Sequence, residues 1–146
     1  MNEPTDFRDL IAALNARSVE FVIVGAFALA YHGRPRATGD LDLWIRPTPE
    51  NARRLLQALT DFGFASIGLT EADVLSGKVV QLGYPPVRVD LLTDLDGLTP
   101  EQTWSQRVAG RFADQPAPYL SKETLILNKR ATGRPQDIAD IDSLTK

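Results

Sequence analysis

Two short segments decide the fold of this chain, Val24-Gly25-Ala26 and Thr38-Gly39-Asp40-Leu41-Asp42-Leu43. The mostly apolar residues 20–24 predict a buried strand that ends at Gly25, and residues 26–32 predict a short helix. Residues 40–46 predict a second strand. Backbone N–H groups at the start of the short helix would be exposed, and such groups favour the binding of a phosphate.

Asp40 and Asp42 occupy alternate positions of the second predicted strand. Side chains two residues apart point to the same face of a strand, with Cα atoms roughly 6.5–7 Å apart. Two carboxylates on one face repel each other, and a divalent cation between them allows both to stay ionised. A phosphate-binding turn beside a carboxylate pair is typical of metal-dependent nucleotidyl or phosphoryl transfer.

A third candidate carboxylate is Asp90, in the predicted strand over residues 87–92. Valine and leucine alternate there with Arg88 and Asp90, so this strand also has one apolar and one charged face. If the two strands are neighbours, Asp90 joins Asp40 and Asp42 on one surface, in an oxygen-rich set that suits one or two Mg²⁺ ions. The alternative acids lie in the turn after this strand: Asp94 and Asp96.

Composition limits the class of protein. With 146 residues, 43% of them hydrophobic and 24% charged, the chain can form one globular domain with a substantial core. A net charge of −3 argues against nucleic-acid binding over the whole surface. Cysteine is absent, which excludes disulfides and thiolate metal sites. We see no signal peptide and no apolar run of membrane-spanning length, and we expect a cytoplasmic protein.

The remaining pattern predicts an α/β fold with a mixed sheet. Helices are expected over residues 5–17, from Thr48-Pro49 to residue 62, in a short piece after Thr70, from Thr99-Pro100 to about Val108, from Ser121 to residue 132, and over residues 136–144. Residues 78–84 pair with 87–92, and residues 116–120 are extended. We divide the chain into an α/β core, residues 1–115, and a C-terminal helical extension packed on it, residues 116–146.

The acidic segments resemble the signature of the DNA polymerase beta-like nucleotidyltransferase superfamily. That signature is a hydrophobic strand, a glycine followed by glycine or serine, a short helix and Asp-hydrophobic-Asp-hydrophobic, with a third carboxylate on a later strand. Val24-Gly25-Ala26, the spacer 27–39, Asp40-Leu41-Asp42-Leu43 and Asp90 fill these places in order. The resemblance implies a nucleotidyltransferase fold, with a mixed central sheet flanked by helices and a C-terminal helical pair.

Within this superfamily, the chain resembles small bacterial proteins related to lincosamide nucleotidyltransferases and to the nucleotidyltransferase toxins of toxin–antitoxin pairs. Residues 36–40 resemble their Arg-x-Thr-x-Asp segment, and residues 129–140 resemble their C-terminal helix-turn-helix. The resemblance implies that Asp40, Asp42 and Asp90 are catalytic and bind Mg²⁺ or Mn²⁺. The residues implied to bind the nucleotide are Gly25, Ala26, Arg36, Thr38, Lys129 and Arg134.

Ala26 departs from the signature, which has glycine or serine at this position. Because alanine has no hydroxyl group, only its backbone N–H and the helix dipole are available to a phosphate. Near the end of the chain, Asp137 and Asp140 are expected to pair with the bases Lys129 and Arg134 or to cap the last helix, rather than to bind metal.

The implied reaction transfers a nucleoside monophosphate from ATP or another NTP to an acceptor hydroxyl and releases pyrophosphate. A tRNA end, a protein hydroxyl and a small molecule such as an antibiotic are open as acceptors, and an antitoxin is open as a partner. Two other functions also stay open. In the first, the chain is a non-catalytic member of the fold that acts as an antitoxin or interaction module. In the second, it is an unrelated α/β domain in which the Asp-x-Asp pattern is accidental.

Overall fold

The computed structural model describes residues 3–33, 39–64, 68–84 and 87–145. Its helices and strands follow in this order: α1 (Glu3–Ala16), β1 (Phe21–Val24), α2 (Gly25–Tyr31), β2 (Asp40–Ile45), α3 (Pro49–Phe62), α4 (Glu71–Leu75), β3 (Val80–Tyr84), β4 (Val87–Leu92), α5 (Pro100–Ser105), β5 (Val108–Phe112), β6 (Gln115–Tyr119), α6 (Lys122–Thr132) and α7 (Pro135–Leu144). Within these ranges, no helix combines the length and the apolar character needed to cross a membrane.

Hydroxyl side chains set where several helices begin. The hydroxyl of Thr48 accepts the backbone N–H of Asn51 at the start of α3. Thr70 and Thr99 form capping boxes at α4 and α5, and Ser121 caps α6. Each cap satisfies an N–H group that the first helical turn leaves without an intrahelical partner. The helix starts predicted from these four residues are confirmed.

The strands in the described residues form one mixed sheet, in the order β3-β4-β2-β1-β6-β5. β2 is antiparallel to β1 and parallel to β4. β6 is parallel to β1, whereas β3 and β5 are antiparallel to their neighbours β4 and β6. The predicted α/β class and the predicted contact between strands 40–46 and 87–92 are confirmed.

Alternation along β2 separates the core from the candidate site. The aliphatic side chains at positions 41, 43 and 45 are buried on one face, whereas Asp40 and Asp42 on the other face are partly exposed. Trp44 shares the face of the two aspartates but is buried, and its indole N–H donates to the carbonyl of Thr93 at 3.0 Å. The polar part of this face is therefore confined to the start of β2.

The last part of the sheet differs from the prediction. The helix expected from Thr99 to about Val108 ends at Ser105, and Val108 begins β5, which forms a hairpin with β6. β6 joins the central sheet, because the Leu120 N–H donates to the Ile23 carbonyl of β1 at 3.0 Å. Residues 116–119 thus belong to the sheet, and the division expected between residues 115 and 116 falls within β6.

The outer edge of β5 is covered by tyrosine hydroxyls. Backbone N–H and C=O groups point to alternate sides along a strand. Because the N–H of residue 120 points to β1, the backbone groups of Tyr119 point to β5, where they meet those of its partner Val108. The backbone groups of Ala109 and Arg111 therefore point away from β6. The Tyr31 hydroxyl donates to the Ala109 carbonyl at 3.3 Å, and the Tyr119 hydroxyl donates to the Arg111 carbonyl at 2.8 Å. The two tyrosine rings are stacked, with centroids 4.1 Å apart.

Candidate functional site

Strands β2 and β4 bring the predicted acids to one face of the sheet. In their parallel register, Asp42 lies opposite Asp90, and Asp40 lies opposite Arg88. Neighbouring strands are about 4.8 Å apart, so side chains of such a pair reach each other. The alternative acids at positions 94 and 96 lie in the turn after the last residue of β4 and are exposed. Asp90 is therefore the acid that the sheet places beside Asp42.

Gly25 forms the turn between β1 and α2 and leaves room for Asp42. Its φ angle is +67°, a backbone conformation that residues with a side chain rarely adopt. A Cβ atom at this position would overlap with Oδ2 of Asp42. The proximity follows from the antiparallel register, in which Val24 lies opposite Asp42. The glycine is thus needed both for the turn and for the position of the carboxylate.

Arg88 extends from β4 between two of the carboxylates. Its Nη2 donates to Oδ2 of Asp40 at 3.0 Å and to Oδ2 of Asp90 at 3.2 Å. Its Nε lies 3.1 Å from Oδ1 of Asp90, but the two atoms form no hydrogen bond, and both are buried without a hydrogen-bond partner. The guanidinium therefore lies against both oxygens of Asp90, with a hydrogen bond to Oδ2 and an ion-pair contact with Oδ1.

The carboxyl group of Asp42 titrates near neutral pH. Burial, followed by the negative charges of Asp90 and Asp40 and a hydrogen bond with Asp90, raises the pKa of Asp42 to about 7, while the charge of Arg88 lowers it. An exposed aspartate is fully ionised at this pH. The site therefore holds a proton that a bound divalent cation would release.

The pair of Asp42 and Asp90 fits a divalent cation. Two carboxylates that lie side by side and repel each other provide oxygen ligands of the kind that Mg²⁺ prefers. Asp40 is bonded to Arg88, and within the described ranges no group of three or more His, Cys, Asp or Glu side chains is arranged to hold a metal ion. The metal-binding and catalytic roles of Asp40, Asp42 and Asp90 stay predictions.

The residues predicted to bind the nucleotide lie in three places. Arg36 and Thr38 fall outside the described residues. Gly25 and Ala26 begin α2 directly after β1, whose last residue, Val24, lies opposite Asp42. Phosphate binding at this turn is a prediction that follows from the sequence and from the position of the turn.

Lys129 and Arg134 bond acidic side chains of α7. Lys129 is buried, and its Nζ donates to Oδ2 of Asp140 at 2.9 Å and lies 3.7 Å from Oδ1 of Asp137. Arg134 bonds Asp137 through Nε at 2.7 Å and Nη2 at 3.1 Å. The expected pairing of Asp137 and Asp140 with these bases is confirmed. Contact of Lys129 or Arg134 with a nucleotide stays a prediction.

Sequence reasoning missed two relationships in the site. Alternation places Arg88 on the face of Asp90, but no sequence pattern indicates that its guanidinium bonds Asp40 as well. Phosphate binding at the glycine after β1 stays a prediction, and the sequence did not indicate that this glycine also makes room for the Asp42 carboxylate.

Comparison with curated proteins found no match. Among solved structures, the chain is similar to an antigenic nucleotidyltransferase-like protein from Paracoccidioides brasiliensis, at 21% identity and a TM-score of 0.58, covering 99% of this chain and 76% of that chain. It is also similar to the lincosamide antibiotic adenylyltransferase LnuA in its lincomycin-bound form, at 14% identity and a TM-score of 0.57, covering 97% of this chain and 96% of that chain.

A third similar structure is ANT(2")-Ia in complex with adenylyl-2"-tobramycin, at 17% identity and a TM-score of 0.60, covering 99% of this chain and 88% of that chain. At these identities the likeness concerns the fold, and it confirms the predicted nucleotidyltransferase fold. The sequence itself matches a family model over residues 3–146. The chain belongs to this family, which is described as nucleotidyl transferase of unknown function (DUF2204).

Proposed function

We propose that this protein transfers a nucleoside monophosphate from an NTP to an acceptor hydroxyl and releases pyrophosphate, at the face of the sheet that carries Asp40, Asp42 and Asp90. The register that sets Asp42 against Asp90 supports this proposal best. Membership of a nucleotidyl transferase family supports the reaction class. A Mg²⁺ or Mn²⁺ ion held by these carboxylates would bind the triphosphate and stabilise the charge that develops during transfer.

The chain's own residues would position the reactants and accept the proton. In the transfer, the acceptor oxygen forms a bond to the α-phosphorus, and the bond from that phosphorus to the β-phosphate oxygen breaks. Asp90 is proposed to help take the proton of the acceptor hydroxyl, because the strand register sets it beside Asp42 on this face of the sheet. Gly25 permits the carboxylate of Asp42 to approach the start of α2, where the phosphates are proposed to lie.

A small molecule with a hydroxyl group is the acceptor that we propose. The similar structures include an adenylyltransferase with bound lincomycin and another protein in complex with adenylyl-2"-tobramycin. Both comparisons cover nearly the full length of this chain, which favours an acceptor of the same class. A tRNA end and a protein hydroxyl are the two other acceptor classes that the assay below includes, and the second would fit a toxin with an antitoxin partner.

The test follows radiolabel from α-labelled NTPs into acceptors of these three classes, with Mg²⁺ or Mn²⁺ present. We expect Asp42→Asn to fold and to lose activity by about a hundred- to a thousand-fold, because a neutral amide cannot balance a metal ion or the charge of the transition state. Asp94→Asn is the matched control, because Asp94 is an exposed acid beyond the other end of β4. Its activity should equal that of the wild type.

Three results would contradict the proposal. Equal label transfer by wild type and Asp42→Asn would show that Asp42 is not part of the site. Release of inorganic phosphate from the γ position, with no α label in any acceptor, would indicate hydrolysis rather than nucleotidyl transfer. If no acceptor is labelled, binding of Mg²⁺-NTP is measured by calorimetry, and absence of binding to the wild type would favour a non-catalytic interaction module.

A further inference from the structure

We propose that Arg88 is the resident counter-ion of this site: it bonds Asp40 and Asp90, and its positive charge competes with a divalent cation for these carboxylates. The inference rests on the proposed function, because it concerns the same carboxylates. Arg88 carries a positive charge on the face of the sheet that holds Asp40, Asp42 and Asp90. It is also the residue through which two of the three carboxylates are joined.

The contacts of Arg88 explain how it positions the acids. A single nitrogen, Nη2, donates to Asp40 and to Asp90. Because both carboxylates bond the same atom, Arg88 keeps them close together. The side chain of Arg88 is 28% exposed and that of Asp90 is 13% exposed, so the pair is largely shielded from water. Shielding strengthens the interaction between charges relative to a pair at the surface.

The guanidinium of Arg88 lies against both oxygens of Asp90. An arginine that binds a carboxylate with both arms of its fork uses both carboxylate oxygens. In this pair only Nη2 donates a hydrogen bond, because Nε of Arg88 and Oδ1 of Asp90 form none although they lie 3.1 Å apart. Both oxygens of Asp90 nevertheless lie against the guanidinium, and a cation that binds Asp90 would have to compete with Arg88 for them.

Charge balance predicts how Arg88 affects metal affinity. Three ionised carboxylates and one guanidinium sum to a net charge of −2, which one divalent cation neutralises. Without Arg88 the same carboxylates sum to −3, and the excess negative charge attracts a cation more strongly. Arg88 thus keeps the protein stable when no metal is bound, and it weakens metal binding when metal is offered.

The experiment measures Mn²⁺ binding without nucleotide, by calorimetry and by the electron paramagnetic resonance signal of free Mn²⁺. Two neutral variants, Arg88→Met and Arg88→Gln, are compared with Arg88→Lys, which keeps the charge. The matched control is Arg46→Met, because Arg46 forms a similar arginine–carboxylate bond, to Glu20 at 2.9 Å, near the other end of β2. Stability is measured by urea unfolding in EDTA at pH 8.

We expect both neutral variants to bind Mn²⁺ about tenfold more tightly than the wild type and to be less stable than Arg46→Met in EDTA. Arg88→Lys and Arg46→Met should bind Mn²⁺ within about twofold of the wild type. If one neutral variant does not fold, the other gives the affinity. A purely structural arginine would change the stability but would not tighten Mn²⁺ binding.

Unchanged or weaker Mn²⁺ binding by the neutral variants, beside measurable binding by the wild type, would overturn this inference and leave the proposed function intact. Tighter binding by Arg88→Lys, equal to that of Arg88→Met, would also overturn it, because charge would then not be the cause. Absence of Mn²⁺ and of Mg²⁺-NTP binding by the wild type would overturn both the inference and the proposed function.

Discussion

At the residue scale, Asp42 shows how a buried carboxyl group among acidic neighbours lowers the stability of the fold that carries it. Its carboxyl group is packed against Gly25 and placed beside Asp90 and Asp40. Burial and these negative neighbours raise its pKa from an ordinary value of 3.8 to about 7. Above pH 7 the folded protein must carry the ionised form in an environment that disfavours it, and that cost is absent in the unfolded chain.

Asp42→Asn should therefore stabilise the metal-free protein in alkaline solution. Because the folded state binds the proton more tightly than the unfolded state, stability falls as the pH rises from about 4 to about 7 and stays low above that. We expect the variant to gain about 1–3 kcal/mol in the free energy of unfolding at pH 8 and almost nothing at pH 4. The measurement is urea unfolding in EDTA at both pH values.

The control for this prediction is Asp96→Asn, in the exposed turn after β4. It should change stability little at either pH, because an exposed carboxylate titrates similarly in the folded and unfolded chain. A gain for Asp42→Asn that is equal at pH 4 and pH 8 would show that removal of the charge is not its origin.

At the element scale, the acidic face could be predicted from the sequence because strand geometry has a fixed period. Alternation in residues 40–46 and 87–92 determines which side chains share a face, and the apolar face determines the register. The partners of Arg88 could not be predicted, because they depend on side-chain torsions that leave no trace in the sequence. The sequence allowed two roles for Asp140, pairing with a base or capping the last helix, and it did not indicate that Lys129 is the partner.

Strand β5 was missed because its hairpin lacks the usual signs of strands. Its own sequence contains a glycine, and β6 contains prolines at positions 116 and 118. The N–H of Leu120 points to β1, so the two prolines, at the same alternation, present their missing N–H groups to β1 rather than to β5. This placement spares the hairpin, and it accounts for the short ladder between β1 and β6.

The helices α6 and α7 offer a prediction at this scale. Lys129→Met removes the ammonium group that bonds Asp140 in a buried position, and a buried carboxylate that loses its cation is costly. We expect the free energy of unfolding to fall by about 2–4 kcal/mol. Lys122→Met, at the exposed start of α6, should cost less than about 0.5 kcal/mol. Urea unfolding of both variants provides the comparison, and equal small effects would contradict the role of the buried ion pair.

At the scale of the whole molecule, the sheet joins parts that are distant in the sequence. β6 lies beside β1, although almost a hundred residues separate them. The buried core includes Ala117, Tyr119, Leu120, Leu125 and Leu144 together with the side chains of the first strands. The sequence predicts a boundary after residue 115 because the α/β pattern ends there. In the structure, residues after this point pack beside β1 and complete the core of the first part of the chain.

A chain that ends at residue 114 should therefore not fold. Removal of β6, α6 and α7 exposes one side of β1 and the apolar residues packed beside it, and domains of this size have only about 5–15 kcal/mol of net stability. We expect the truncated chain to show no cooperative thermal transition by circular dichroism and no dispersed amide resonances by NMR. A fragment that unfolds cooperatively would instead support an independent core over residues 1–115.

The tyrosines over β5 bear on how the molecule behaves in a crowded solution. An outermost strand with unbonded carbonyls can recruit a strand from another molecule and begin an aggregate. In β5, the outward carbonyls of Ala109 and Arg111 already accept the hydroxyls of Tyr31 and Tyr119. Two of the backbone groups through which a neighbouring molecule could add a strand to β5 are therefore already bonded within the chain, which disfavours strand addition at this edge of the sheet.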